Sequence, residues 1–197
     1  MTRRSGFNAQ MVRYADDIVI LSNKPLDIPT ETLRDVLSAL GLKLSEVKTQ
    51  VTKAERGFEF LGYRFTRQYS PEHKKALTCY FPSPKSVKRV KGRIREIAGN
   101  NRLHIPPEEV AEELNLAVTG WCNYFQWSWH RKAFSKVYGY LCSRFQRFLR
   151  RRQEKPGFGR YRDFSVSKLQ EKYGLVTWTR STAFMDQLYR DCSGRAV

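Results

Sequence analysis

The spacing of hydrophobic positions changes character near residue 82. Upstream of it the apolar runs are short and β-like. Met11-Val12-Arg13-Tyr14 and Ile18-Val19-Ile20-Leu21 are rich in β-branched and aromatic residues and flank a polar centre. That pattern predicts two β segments joined at an Asp16-Asp17 tip. Residues 23–29 read as a loop. Thr30 is the expected N-cap of a helix, with Glu31 in its first turn, and Leu33, Val36, Leu37 and Leu40 recur at i, i+3, i+4 and i+7 before Gly41 closes it. Leu42-Lys43-Leu44-Ser45 and Gln50-Val51-Thr52 flank a polar bend that holds Lys48. Phe58-Glu59-Phe60-Leu61-Gly62-Tyr63-Arg64-Phe65 alternates and turns at Gly62, a second hairpin. The order β, β, α, β, β predicts an α+β unit, its helix packed on one face of an antiparallel sheet.

From residue 83 the period becomes helical. Ser83 is the expected N-cap, with Pro84 at the first helical position. Val87, Val90, Ile94 and Ile97 form an apolar stripe that Gly99-Asn100-Asn101 ends. Pro106-Pro107-Glu108-Glu109 opens a second helix, its acids at the positive dipole end, with a stripe of Val110, Leu114, Ala117, Val118, Trp121 and Phe125. A third helix runs through Phe134, Val137, Tyr138, Leu141, Phe145, Phe148 and Leu149 until residues 155–159 break it. Val166, Leu169, Tyr173, Leu175, Trp178 and Leu188 mark shorter apolar stretches beyond. The change of period divides the chain into an α+β domain, residues 1–81, and an all-α domain, residues 82–197.

Composition narrows the class. Of 197 residues 41% are hydrophobic and 13% aromatic, enough for a core and too many for a disordered basic tail. No run approaches the ~18 apolar residues of a membrane span, and the first residues lack the apolar segment of a signal peptide. A secreted or integral membrane protein is excluded on these grounds, and a cytoplasmic one is expected. Cys79, Cys122, Cys142 and Cys192 form no CxxC pair, and only His73, His104 and His130 accompany them. Buried or half-buried thiols are expected, rather than a zinc site or a disulfide framework.

Charge changes the picture most. The net charge is +17, of which residues 81–197 carry +13 and residues 1–80 carry +4. Such a field favours a polyanion, and nucleic acid is the commonest. Lys85, Lys88, Arg89, Lys91, Arg93 and Arg95 surround the narrow stripe of the first helix. Arg144, Arg147, Arg150, Arg151 and Arg152 fall among Phe145 and Phe148 on the third. Arginine contacts phosphate through its fork and also stacks on bases; folded RNA is recognised largely through phosphates and 2′-hydroxyls. The plainer reading is an ordinary solvated face. Trp121 and Phe125 lie on a core stripe, Trp127 or Trp129 is a better candidate for stacking on a base, and His130 is a flanking polar residue.

Adjacent carboxylates repel one another unless a cation or a turn calls for them. On a strand, successive side chains face opposite ways, so Asp16 is expected to look into a site with Asp17 beside it. A carboxylate of this kind suits Mg²⁺. A polar hairpin turn explains the pair equally well.

Tyr14-Ala15-Asp16-Asp17 followed by two apolar β residues resembles the signature of reverse transcriptases. Gly41-Leu42-Lys43-Leu44-Ser45-Glu46-Val47-Lys48-Thr49 resembles the next palm motif of that family, and residues 58–65 resemble its primer-gripping hairpin. Pro82-Ser83-Pro84-Lys85-Ser86-Val87-Lys88-Arg89 and residues 114–125 resemble the helical thumb, or maturase domain, of group II intron-encoded proteins. The five motifs stand in the family's order across residues 11–180. The resemblance implies an RNA-directed DNA polymerase that binds its intron RNA and assists splicing and retrohoming. It implies that Asp16 holds a catalytic Mg²⁺ with Asp17 as its partner, that Lys48 lies near the incoming triphosphate, and that Leu61, Gly62 and Tyr63 grip the primer terminus.

The family supplies a further aspartate from an earlier palm strand, together with a fingers region. None of the 13 residues before Tyr14 is acidic. The chain is therefore expected to be the C-terminal part of such a protein, from a split, truncated or decayed frame, and not to polymerise by itself. The family's optional DNA endonuclease domain is also expected to be missing. Two alternatives stand beside this reading. In one, a separate chain supplies the fingers and N-terminal palm of a split polymerase; in the other, the chain is a non-enzymatic nucleic-acid-binding regulator.

Overall fold

A computed structural model describes residues 9–70, 74–128, 131–153 and 164–176. The chain forms two compact units, Met1–Ser83 and Pro84–Val197, and is α+β.

In the first unit β1 (Ala9–Tyr14) pairs antiparallel with β2 (Asp17–Ser22), in register from Tyr14↔Asp17 to Ala9↔Ser22. Ala15 and Asp16 are left as a two-residue turn, with Ala15 at φ 50 in the left-handed region. The next helix, α1, spans Asp27–Ala39. It starts before the expected cap at Thr30 because Pro29 is tolerated in a first turn, where its missing N–H costs nothing. Thr30 N–H instead donates to Leu26 O at 2.9 Å. The helix stops where the pattern places the end. Gly41 takes φ 70, its N–H donates to Ser38 O, and Leu42 N–H donates to Leu37 O at 2.8 Å, the paired bonds of a Schellman end.

The face of this helix expected to pack on a sheet is at most half-covered among the described residues. No side chain of α1 is buried; Leu33 and Leu37 are half-covered, and Val36 and Leu40 are exposed. The strands also form two sheets rather than one. The second contains β3 (Phe58–Phe60), β4 (Tyr63–Ser70) and β5 (Lys75–Pro82) in that order, antiparallel throughout. β5 is not expected from the sequence, since Lys75, Ala76 and Thr78 dilute its apolar alternation; pairing with β4 along its whole length supplies what composition lacks. Gly57 enters this sheet at φ 75, and a Cβ there would lie 2.6 Å from Phe65 O, so only glycine fits.

The second unit is a helical bundle: α2 (Pro84–Ile97), a 3₁₀ turn (Asn100–Arg102), α3 (Pro107–Phe125), α4 (Arg131–Arg152) and α5 (Val166–Tyr173). Its core comprises the predicted stripes. Ile94, Val110, Leu114, Leu141, Phe145 and Leu169 are fully buried, and Phe134, Val137, Phe148 and Leu149 nearly so. Trp121 is half-buried, packs on Phe125 and Phe134, and donates Nε1–H to Ser86 Oγ at 3.0 Å. α5 carries a Ser165 cap and ends at Gly174, φ 65. Asn115 of α3 ties down the chain beyond α5 by donating to Gly174 O and accepting from Val176 N–H.

Three contacts fix the relation of α2 to α4. Lys91 lies over Tyr140, Arg144 reaches the carbonyls of Arg95 and Ala98, and Arg151 reaches Asn100. Residue numbers rise together on both sides, so the two helices run parallel. Among the described residues no helix is long and apolar enough to cross a membrane. Trp129, His130, Trp178, Leu188, Cys192 and the break at residues 155–159 lie outside the described residues.

Candidate nucleic-acid interface

The hairpin tip is built from a turn rather than from pleated strand. Asp16 occupies the second turn position and Asp17 the first position of β2, and both are exposed. Strand alternation therefore does not decide how the two carboxylates are aimed. Arg13 Nε donates to Ala15 O at 3.0 Å, setting a cation beside the tip. Among the described residues no three His, Cys, Asp or Glu side chains gather into a metal-holding group. Two neighbouring carboxylates are enough to hold one hydrated Mg²⁺ against a phosphate. They do not fit the two-ion centre of phosphoryl transfer, which needs further ligands.

Lys48 is exposed in a bend where its own N–H and that of Thr49 both reach Ser45 O. Among the described residues no hydrogen bond or ion pair connects Lys48 to Asp16 or Asp17. Leu61 (φ 50) and Gly62 (φ 79) form the tight turn between Phe60 and Tyr63, the two positive φ values of a type I′ hairpin. Tyr63 is half-buried at the end of an aromatic row. It meets Tyr80 edge-on at 6.2 Å, and Phe65 stacks between Phe58 at 5.2 Å and Tyr80 at 5.9 Å. This row belongs to a different sheet from the Asp16-Asp17 hairpin.

The helical unit carries the charge. On α2, Lys85, Lys88, Arg89, Arg93 and Arg95 are exposed, and Glu96 is the sole acid of the helix. Arg93 pairs with Glu96 at 3.5 Å, an exposed i, i+3 contact of little weight. Lys91 differs from the rest. It is half-buried, with Nζ 5.2 Å from the centre of the Tyr140 ring.

The arginines of α4 divide into two roles. Arg144 is half-buried and donates Nη2–H to Ala98 O at 3.2 Å and to Arg95 O at 3.4 Å. Arg151 bonds Asn100 Oδ1, and Arg152 bonds the carbonyls of Leu103 and Ile105. All three serve the end of α2 and the turn after it, where helix-terminal carbonyls have no partners of their own. Arg150 is half-buried, and Arg147 is exposed. Arg144→Gln is accordingly expected to lower unfolding stability by about 1.5–3 kcal/mol, the usual contribution of a hydrogen bond to a charged group, as measured by urea denaturation of the full chain.

The sequence reading missed Lys132 and Lys136. Both are exposed, and with Ser143 and Arg147 they follow one face of α4, a helix that contains no acid. The spacing was available as a signal, but the denser arginine run at the other end of the helix obscured it. Acids gather on α3 instead, where Glu108, Glu109 and Glu112 are exposed. Glu113 is held by Arg102 in a two-bond fork, and that hydrogen bonding keeps its carboxyl below the ordinary range. Trp127 is 56% exposed, the surface position expected of a stacking candidate.

The described cysteines match the expectation of inert thiols. Cys79 and Cys142 are buried and Cys122 is half-buried, all three free. Desolvation raises each, Cys122 to about 11, so none is a thiolate at neutral pH.

Two family comparisons coincide with the two units. Residues 87–165 match the group II intron, maturase-specific domain, and residues 2–65 match reverse transcriptase (RNA-dependent DNA polymerase). No curated protein matches the chain at a significant level. With palm sequence running into a maturase-specific bundle in a single polypeptide, the chain belongs to the group II intron-encoded reverse transcriptase/maturases.

Proposed function

We propose that the chain binds structured group II intron RNA through its helical unit, assists splicing and mobility of that intron, and does not copy RNA by itself. One observation carries the reading: the outward face of α2 presents five exposed cations against a single acid. A rigid row of this kind meets phosphates without needing any particular base. The reading places the chain in the cytoplasm, where such a ligand is expected. Magnesium enters only with the rest of the palm, since Asp16 and Asp17 do not complete a two-ion centre.

The test is equilibrium binding of a labelled group II intron transcript, followed by anisotropy. Replacing Lys85, Lys88 and Arg89 together by Gln is expected to weaken binding about tenfold or more, three phosphate contacts being removed. Asp16→Ala, at the exposed tip of the other unit, is expected to bind within about twofold of the parent. Primer extension with Mg²⁺ is expected to yield no product. An Asp16→Ala protein that loses RNA, or a charge-depleted one that keeps it, overturns the assignment of roles.

A second reading draws on the hairpin surface. Met11 is 60% exposed and Tyr14 63%, with Val12 and Leu21 also open on the two-stranded ribbon. Apolar side chains so displayed suit a covering by further palm strands, which a separate chain would supply in a split polymerase. Recovery of Mg²⁺-dependent primer extension on adding such a palm fragment favours this reading.

A further inference from the structure

The α2 row accounts for one side of a surface whose other side is α4. We infer that a phosphodiester strand of the bound RNA lies along the α2–α4 seam, between Lys88 and Arg95 on one helix and Lys136 and Arg147 on the other. The exposed face of α4 is thereby a second contact ridge that includes Lys132. The inference rests on the RNA-binding reading above and adds to it where the chain of phosphates runs.

Geometry supplies the argument. α2 and α4 run parallel, and the Lys91–Tyr140 contact lies in the seam between them. Helices packed in this way stand about 8–10 Å apart, within the reach of long basic side chains from both sides. Lys132, Lys136, Ser143 and Arg147 are separated by four, seven and four positions and are all exposed, so they share one face of α4. From Lys136 to Arg147 that face extends about 16 Å at 1.5 Å per residue. No acid on α4 opposes the charge.

Two further features select a phosphate strand over a base. Tyr140 is the aromatic ring in the seam, and Lys91 already covers it, so bases find no stacking platform there. The ridges are also low at their middles. Gly92 and Gly139 each face open space, with no atom within 4 Å of where a Cβ would stand. A ligand backbone can therefore approach the helix surface between the flanking cations.

The test uses the full chain with a labelled, structured intron transcript. Affinity is measured across a salt series for the parent, for the combined Lys132→Gln, Lys136→Gln and Arg147→Gln variant, and for Gly139→Gln. The combined variant is expected to bind about tenfold or more weakly at moderate salt, with a shallower dependence of log K on log salt by about two to three. Its melting temperature is expected to hold, because all three side chains are exposed. Gly139→Gln leaves the charge unchanged and is expected to weaken binding by filling the low point of the ridge. If the α4 variants bind like the parent while the α2 variant does not, the seam placement is wrong and the RNA reading stands. If the parent binds RNA with no salt dependence, both fall together.

Discussion

Affinity for a structured RNA is expected to fall by about a thousandfold between 50 and 200 mM monovalent salt. A protein that neutralises six to ten phosphates releases the counterions condensed on them and loses roughly 10³–10⁵ in affinity over that interval. The helical unit offers Lys85, Lys88, Arg89, Arg93 and Arg95 on α2, and Lys132, Lys136 and Arg147 on α4, all exposed. That number sits within the range, but Arg93 already has Glu96 beside it, so the lower end is the appropriate expectation. The competing mechanism is burial of the exposed apolar side chains Leu116, Tyr124 and Trp127 against RNA bases. Stacking of that kind loses little with salt. A salt titration by anisotropy that stays flat over this interval would assign the affinity to stacking and remove the electrostatic account.

Phe145→Ala is expected to destabilise the helical unit by about 4 kcal/mol, within the usual range for deleting a buried aromatic. Phe145 is 0% exposed, lies nearly parallel to Phe148 at 6.1 Å and meets Tyr173 edge-on at 5.6 Å. It is therefore packed by its own helix and by α5 together, and truncation leaves a cavity that neither helix can close alone. Domains hold only about 5–15 kcal/mol in total, so much of the margin would be lost. Urea denaturation followed by helical circular dichroism measures the change. Leu116→Ala, at a residue 75% exposed on α3, is the matched comparison and is expected to shift the midpoint little. A Phe145→Ala midpoint equal to the parent's would show that α5 does not pack on α4.

How far the fold was legible differs between the units, for a physical reason. In the bundle, local signals and tertiary packing agree. Ser83-Pro84 starts α2, Pro107 with two glutamates starts α3, and most of the stripe residues from Val90 to Leu149 are buried, with Ala117, Trp121 and Tyr138 half-buried against them. In the first unit they do not agree. The α1 stripe is amphipathic, yet none of its side chains is buried and only Leu33 and Leu37 are half-covered, and periodicity cannot show how fully a partner surface covers a stripe. β5 is held by its ladder with β4 rather than by its own composition. The Asp16-Asp17 tip was legible as a hairpin, but whether a residue lies in the turn or begins the strand depends on register, which one residue decides.

The basic positions show a second limit. Arg144, Arg147, Arg151 and Lys136 look alike along the sequence, as cations on a helix. Only the placement of the α2–α3 connection separates Arg144 and Arg151, which hydrogen-bond to it, from Lys136 and Arg147, which remain free of it. Net charge therefore overstates the number of cations available to a ligand.

The Arg144 contact has a mechanical consequence. By reaching from the middle of α4 to the last carbonyls of α2, it blocks the two helices from sliding along one another, as would a tie bar between rails. A polyanion that bridges them meets two rows already held in register. Aligning the two rows is accomplished during folding, so the orientational entropy that a hinged pair would lose at docking is already gone from the association step.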